Sequence, residues 1–186
     1  MTDTKHISIN GTNNRYQIKK ITTDISEAKK RIQSEKWHLS EECYTYDKQM
    51  QLLHEIFCDD LSDNKLGEDN DLLKIMRQQI NSKINGYKRQ DLIKNLFNNN
   101  KFICFADIIS SLLKSELKCY YCKAKTLVLY DISREMTQWT VDRIDNDQGH
   151  NTDNYHIACL KCNLKRRRQS DEKFLFTTQL HVIKHY

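Results

Sequence analysis

The chain has 186 residues, 30% of them charged and 38% hydrophobic, with a mean hydropathy of -0.78. That is long enough to bury one core beneath a polar surface, and no apolar run approaches the ~20 residues of a membrane-spanning helix. Proline is absent and glycine occurs four times, which excludes collagen-like and Pro/Gly linker chains.

The opening residues lack the basic-then-apolar pattern of a secretory signal, so an intracellular protein with no membrane partner is expected. A net charge of +5 only weakly favours an anionic partner, but the cations are unevenly placed: Lys165, Arg166, Arg167 and Arg168 are consecutive.

In chain order, Ile7 and Ile9 alternate with polar residues before an Asn10-Gly11 turn, and Tyr16, Ile18 and Ile21 suggest a returning strand. Apolar residues at helical spacing predict helices over 24–37, 46–58 and 71–84, the last stopping near Asn85-Gly86. Residues 59–70 read as a linker, Arg89 to Leu96 as a short helix, and 105–117 as another. Beyond residue 118 the pattern turns to strands, over 126–130, 138–144 and 155–158, and then to a basic helix opened by Cys159. The expected class is α+β: a hairpin-like segment at 1–22, a mainly helical region at 23–116, and a cysteine-bearing unit at 117–186.

Seven cysteines in a chain without an export signal argue against a disulfide framework. Cys119/Cys122 and Cys159/Cys162 form two Cys-x-x-Cys pairs separated by 36 residues. Each pair offers two sulfurs on a tight turn, and together they suit one tetrahedral, structural Zn²⁺ with no open coordination position. The bland alternative is two unrelated pairs of buried thiols. Cys43, Cys58 and Cys104 sit singly among apolar residues and read as packing thiols.

Residues 138–161 gather Asp142, Asp145, Asp147, Asp153, His150, His156 and several asparagines beside the basic helix. Carboxylates next to cations make sense if a divalent ion bridges protein and phosphate. A solvated Asx-rich turn accounts for the same composition, and composition alone leaves both open.

The ordered set Cys119-x-x-Cys122, Asp142-Arg143-Ile144-Asp145-Asn146, Gly149-His150, Asn154 and Cys159-x-x-Cys162-Asn163 resembles the HNH (His-Me finger, ββα-metal) endonucleases. It is closest to their zinc-stapled branch in bacteriophages and large DNA viruses, and it spans about residues 117–168. The resemblance implies a ββα-metal unit stapled by a four-cysteine zinc site. Asp142 stands at the metal-binding aspartate of the first strand, Asn163 at a second ligand for a catalytic Mg²⁺ or Mn²⁺, and Asn154 at the asparagine that pins the loop.

Arg143 stands where the family usually has the general-base histidine, and a guanidinium stays protonated and cannot take a proton. His150 is the first substitute, with a suitable imidazole pKa; Asp145 and His156 are the others. Arg143 then clamps a phosphate oxygen. Lys161, Lys165, Arg166, Arg167 and Arg168 are expected on the DNA backbone, in salt-sensitive, sequence-independent contacts. Lys83, Lys88, Arg89 and Lys94 suggest a second basic patch.

The implied activity is metal-dependent hydrolysis of phosphodiester bonds in DNA. The alternative is a catalytically weak or inactive zinc-stapled module that binds nucleic acid on the same scaffold. A third reading is a zinc-stapled protein-interaction domain.

Overall fold

Two strands and five helices carry the described part of the chain, which in the computed structural model comprises residues 37, 39–61 and 71–180. The expected N-terminal hairpin, nearly all of the expected helix at 24–37 and residues 62–70 of the expected linker lie outside these residues. A 3-10 turn (Glu41–Tyr44) leads into α1 (Tyr46–Leu61), α2 (Asp71–Ile93) and α3 (Phe105–Lys114). Then come β1 (Trp139–Arg143), β2 (Tyr155–Cys159), α4 (Leu160–Arg166) and α5 (Asp171–Gln179). No helix among the described residues is long and apolar enough to cross a membrane.

The mixed α+β class is as expected, but several boundaries differ for identifiable reasons. α2 does not stop at Asn85-Gly86; it continues to Ile93 and absorbs the separate helix expected over Arg89 to Leu96. Gly86 costs a helix interior about 1 kcal/mol. Burial of Ile80, Ile84 and Asp91 on one stripe of the same helix overrides that local preference. α3 ends at Lys114 instead of 117 because Glu116 and Leu117 adopt positive φ (51° and 47°). The Leu117 N–H then turns back to the Leu112 carbonyl at 2.9 Å, closing the helix end.

The expected strand over 126–130 is not one. Thr126 and Leu127 bond the backbone of Leu117, Thr137 and Trp139, and the buried Gln49 side chain of α1 takes the next hydrogen bonds: Oε1 accepts the Val128 and Leu129 N–H groups at 2.7 and 2.9 Å, and Nε2 donates to the Leu129 carbonyl at 2.9 Å. A buried backbone must be paired somewhere, and here an amide side chain replaces a neighbouring strand. α5 had no counterpart in the sequence reading; Phe174 buries it against Tyr121 at 4.9 Å between ring centroids.

β1 and β2 pair antiparallel, with Trp139 opposite Cys159 and Asp142 opposite His156. Residues directly opposite share a face of such a pair. Trp139, Val141 and Ile157 therefore enter the large core with Leu53, Ile56, Met76, Ile80, Ile108 and Leu112 of the helices. The polar–apolar alternation gives Thr140, Asp142 and His156 to the other face, beneath α4. A smaller cluster joins Ala158 of that face to Cys119, Tyr121, Cys162, Phe174 and, at the end of β2, Cys159. Residues on both sides of position 116 thus share the large core.

Lys83, expected in a surface basic patch, is instead tucked inside. Its ammonium donates to Gln138 Oε1 at 2.9 Å and to the Trp139 carbonyl, and lies 4.8 Å from the Trp139 ring centroid. Burial pulls its pKa down to about 7. The folded protein then sheds this proton near neutrality, whereas the unfolded chain holds it until about pH 10. The folded state binds fewer protons in between, so stability rises with pH across that window. Urea unfolding is expected to show a gain of about 2 kcal/mol from about pH 7 to about pH 9 that Lys83→Met removes. Equal pH slopes in the two proteins would refute it.

Candidate metal centre and active site

The Sγ atoms of Cys119, Cys122, Cys159 and Cys162 all lie within 4.8 Å of one another. Tetrahedral zinc with ~2.3 Å bonds places its sulfurs about 3.8 Å apart, and Cys122 Sγ and Cys159 Sγ are 3.9 Å apart. Donor type, number and spacing fit a metal ion such as zinc.

Local structure builds both knuckles. At the first, Lys123 adopts φ 59° and returns its N–H to the Cys119 carbonyl, while the Tyr120 N–H bonds Ile157 of β2 at 2.8 Å. At the second, Cys159 ends β2 and caps α4, its sulfur accepting the Cys162 N–H at 3.4 Å. The sulfurs also share protons. A hydrogen bond from Cys159, aided by backbone N–H groups, draws the Cys119 thiol down to about 4. That same bond holds the Cys159 proton on its sulfur, and burial raises Cys162 to about 12. A metal ion replaces these protons when it binds.

Asp142 and Asn163 both lie at the sheet face that α4 covers. Asp142 is 4% exposed. Its Oδ2 accepts the Tyr121 hydroxyl at 2.6 Å and its Oδ1 faces the Arg166 guanidinium at 3.4 Å. Burial pushes its carboxyl above the usual range, against the pull of Tyr121 and Arg166. The Asn163 amide nitrogen donates to Thr140 Oγ1 at 3.1 Å and to the Val141 carbonyl at 3.3 Å. Its Oδ1 is thereby left as a hard donor of the kind that suits Mg²⁺.

The loop between the strands is stitched by Asn154, which is buried. Its Oδ1 accepts the Asp145 N–H at 2.8 Å, and its Nδ2 donates to the Asp145 and Gly149 carbonyls at 3.0 Å each. Arg143 is partly exposed and donates to the Gln148 carbonyl at 2.8 Å. Asp145 accepts the Asp147 N–H and the Gln148 amide, which hold its carboxyl below the usual range.

The two histidines occupy different settings. His150 is 3% exposed, stacks on Tyr87 at 4.6 Å, and is held by Asp91 of α2. Asp91 Oδ2 accepts the His150 N–H at 2.6 Å and Oδ1 lies 2.7 Å from Nδ1. Burial lowers the imidazole pKa despite the carboxylate, so the neutral ring with a proton on Nδ1 fits this pair. The structure therefore ties His150 to the helical core. His156, in contrast, shares the face of Asp142, stacks on Tyr120 at 3.6 Å, and places Nε2 3.3 Å from Asp171.

Within the basic run, one expectation is corrected. Arg166 is not available to a DNA backbone: it is 1% exposed, and its NH2 group donates to the Arg143 and Ile144 carbonyls at 2.7 and 2.8 Å while NH1 faces Asp142. Lys161, Lys165, Arg167 and Arg168 are exposed, and Arg168 pairs with Asp147 at 2.8 Å.

The sequence reading missed Asp91, Tyr87 and Tyr121. Asp91 left one signal, a carboxylate on the apolar stripe of α2, seven residues after Ile84. No family model, curated protein or solved structure matches the chain.

Proposed function

We propose that β1, the Asn154-stitched loop, β2 and α4 form an HNH-type nuclease unit, held by zinc on the four cysteines, that hydrolyses phosphodiester bonds in DNA. The observation that supports the reading is that Asp142 of β1 shares a sheet face with Thr140, to which the Asn163 amide of α4 donates, beside a four-sulfur cluster. A divalent ion bound by these two oxygen donors would supply Lewis-acid stabilisation to the phosphate oxygens.

The chain's own groups then divide the remaining work. Arg143, partly exposed at the end of β1, neutralises phosphate charge. Arg166 and Tyr121 fix the Asp142 carboxylate from behind. His156 is better placed than His150 to receive the proton of the attacking water, because it shares the face of Asp142 and is not sealed into the helical core. The cost to Asp142 of burial beside Arg166 favours the alternative of an inactive nucleic-acid-binding module, since two partners already engage its oxygens.

Nicking of supercoiled plasmid with Mg²⁺ or Mn²⁺ decides between the two. Wild type is expected to nick, and Asp142→Asn, which keeps the side-chain shape beside Arg166, to lose about a hundredfold or more of the rate. His156→Ala should fall comparably and His150→Gln less. Equal nicking by wild type and Asp142→Asn, or none by either while both retard DNA on a gel, would overturn the nuclease reading.

A further inference from the structure

A cleft of about 560 Å³ lies along the outer edge of β2, between the first cysteine knuckle and the C-terminal turn of α3. Tyr120, Tyr155 and Ile157 contribute apolar and aromatic wall, and His156 reaches into it from the face of Asp142. Lys114, Lys118 and Lys123 also line it. Glu116 pairs with Lys118, which leaves Lys114 and Lys123 as the uncompensated cations. Both are exposed, and the Lys123 ammonium lies 5.1 Å from the Tyr120 ring centroid. The Tyr120 ring is itself backed by His156 in an almost parallel stack, which holds it rigid.

We propose that this cleft binds an unpaired nucleotide of a nucleic-acid strand, the base against the aromatic wall and its flanking phosphates on Lys114 and Lys123. Flat π-walls with cations beside them are what unpaired bases use, since every base has a stacking face and every linkage a charge. The volume falls in the range of small-ligand pockets. Along a duplex the base faces are stacked on one another and only groove edges and backbone are exposed, so it would leave these walls without a stacking partner. The assignment of a polynucleotide source rests on the nuclease reading: His156 links the cleft to Asp142, so a strand threaded through the cleft reaches the proposed reaction face. The substrate class is then DNA with an unpaired stretch beside the cut, as at a flap, fork or bubble.

Fluorescence anisotropy tests this on the full chain loaded with zinc, with Ca²⁺ in place of Mg²⁺ to hold off cutting. The probes are a labelled oligothymidine, a labelled hairpin duplex whose turn is a non-nucleotide linker so that no base is unpaired, with a similar number of phosphates, and thymidine monophosphate as competitor. Wild type is expected to hold oligothymidine about tenfold or more tighter than the hairpin, and the monophosphate to compete only weakly. Tyr120→Leu, which keeps an apolar side chain beside His156, should cost oligothymidine about tenfold and leave the hairpin within about twofold. The double variant Lys114→Gln, Lys123→Gln alters only exposed side chains and should lower the salt dependence of oligothymidine binding by about one phosphate contact per lysine.

Equal affinity for strand and hairpin, no strand binding, monophosphate binding as tight as the strand, or unchanged strand binding in both variants would each overturn the proposal. Zinc content measured on every variant separates loss of the cleft from loss of the fold. The readout is affinity without cleavage, so plasmid nicking by wild type can survive failure of the cleft, and the cleft can bind a strand in a protein that never nicks.

Discussion

Chelating the zinc proposed for the four cysteines, or replacing Cys159 with Ser, is expected to dismantle the sheet and α4 while the three long helices keep most of their structure. An isolated two-stranded pair is marginal in water, and here its second face rests on a cluster of few side chains: Cys119, Tyr121, Ala158, Cys159, Cys162 and Phe174. Half of that cluster consists of the sulfur ligands themselves. Without a metal, those sulfurs become a group of buried, weakly bonded thiols crowded within 4.8 Å, and α4 loses the junction at which Cys159 caps it.

Structural zinc in small domains is worth about 10–16 kcal/mol of apparent binding free energy near neutral pH. No plausible repacking of so small a cluster replaces that. α1, α2 and α3, in contrast, are packed by Leu53, Ile56, Met76, Ile80, Ile108 and Leu112, none of which belongs to the sulfur cluster. Metal analysis should return one zinc per chain for wild type and less for Cys159→Ser. Limited proteolysis should open the knuckles and residues 160–180 on chelation, with the helical far-UV signal mostly retained. If chelation leaves proteolysis unchanged, the cluster is not a metal site that supports the fold.

The elements that were legible in the sequence are those whose stability is local. α1 and α3 announce themselves by apolar spacing, β2 by its short alternation, and the cysteine pairs by a spacing that few other roles require. What was illegible is what tertiary contact decides. Nothing near Gly86 says that a helix passes through it; the reason is a buried stripe that continues to Asp91. Nothing in Thr126 to Tyr130 says that Val128 and Leu129 bond Gln49, nearly eighty residues upstream. The basic run shows the same limit. Four consecutive cations look alike in sequence, yet helix geometry turns Arg166 inward to Asp142 and the two carbonyls after it, and leaves its neighbours in water. Within the candidate site, the four cysteines were readable from their spacing, while the buried residues Tyr121 and Asp91 were not, because a partner across the fold has no spacing to recognise.

Asp91→Ala is expected to cost about 2–6 kcal/mol, the range for leaving two buried donors without their acceptor. Asp91 and His150 are 1% and 4% exposed at their side chains, so water cannot take over the lost bonds. The variant strands two donors, the His150 N–H and the Nδ1–H, and each unsatisfied buried donor costs about 1–3 kcal/mol. Nor can the loop move in to close the gap. Gly149 already sits so near the end of α2 that a Cβ there would meet the Leu96 carbonyl oxygen at 2.5 Å and Asp91 Oδ2 at 2.9 Å.

Asp91→Asn separates charge from hydrogen bonding. Its amide oxygen still accepts the His150 N–H, and a tautomer change lets Nδ1 accept from the amide, so the cost should fall to about 1–2 kcal/mol at neutral pH. The pH dependence has a defined sign. Burial lowers the pKa of His150 in the fold, so the unfolded chain takes up a proton first as pH falls below about 6.5, and stability drops with it. Asp91 opposes that lowering; removing its charge should make the acid-side loss steeper in Asp91→Asn than in wild type. Thermal unfolding at saturating zinc, from about pH 8 down to about pH 5.5, measures both effects. If Asp91→Ala unfolds like wild type, or Asp91→Asn shows the shallower slope, then Asp91 does not lock the loop to the helices through His150.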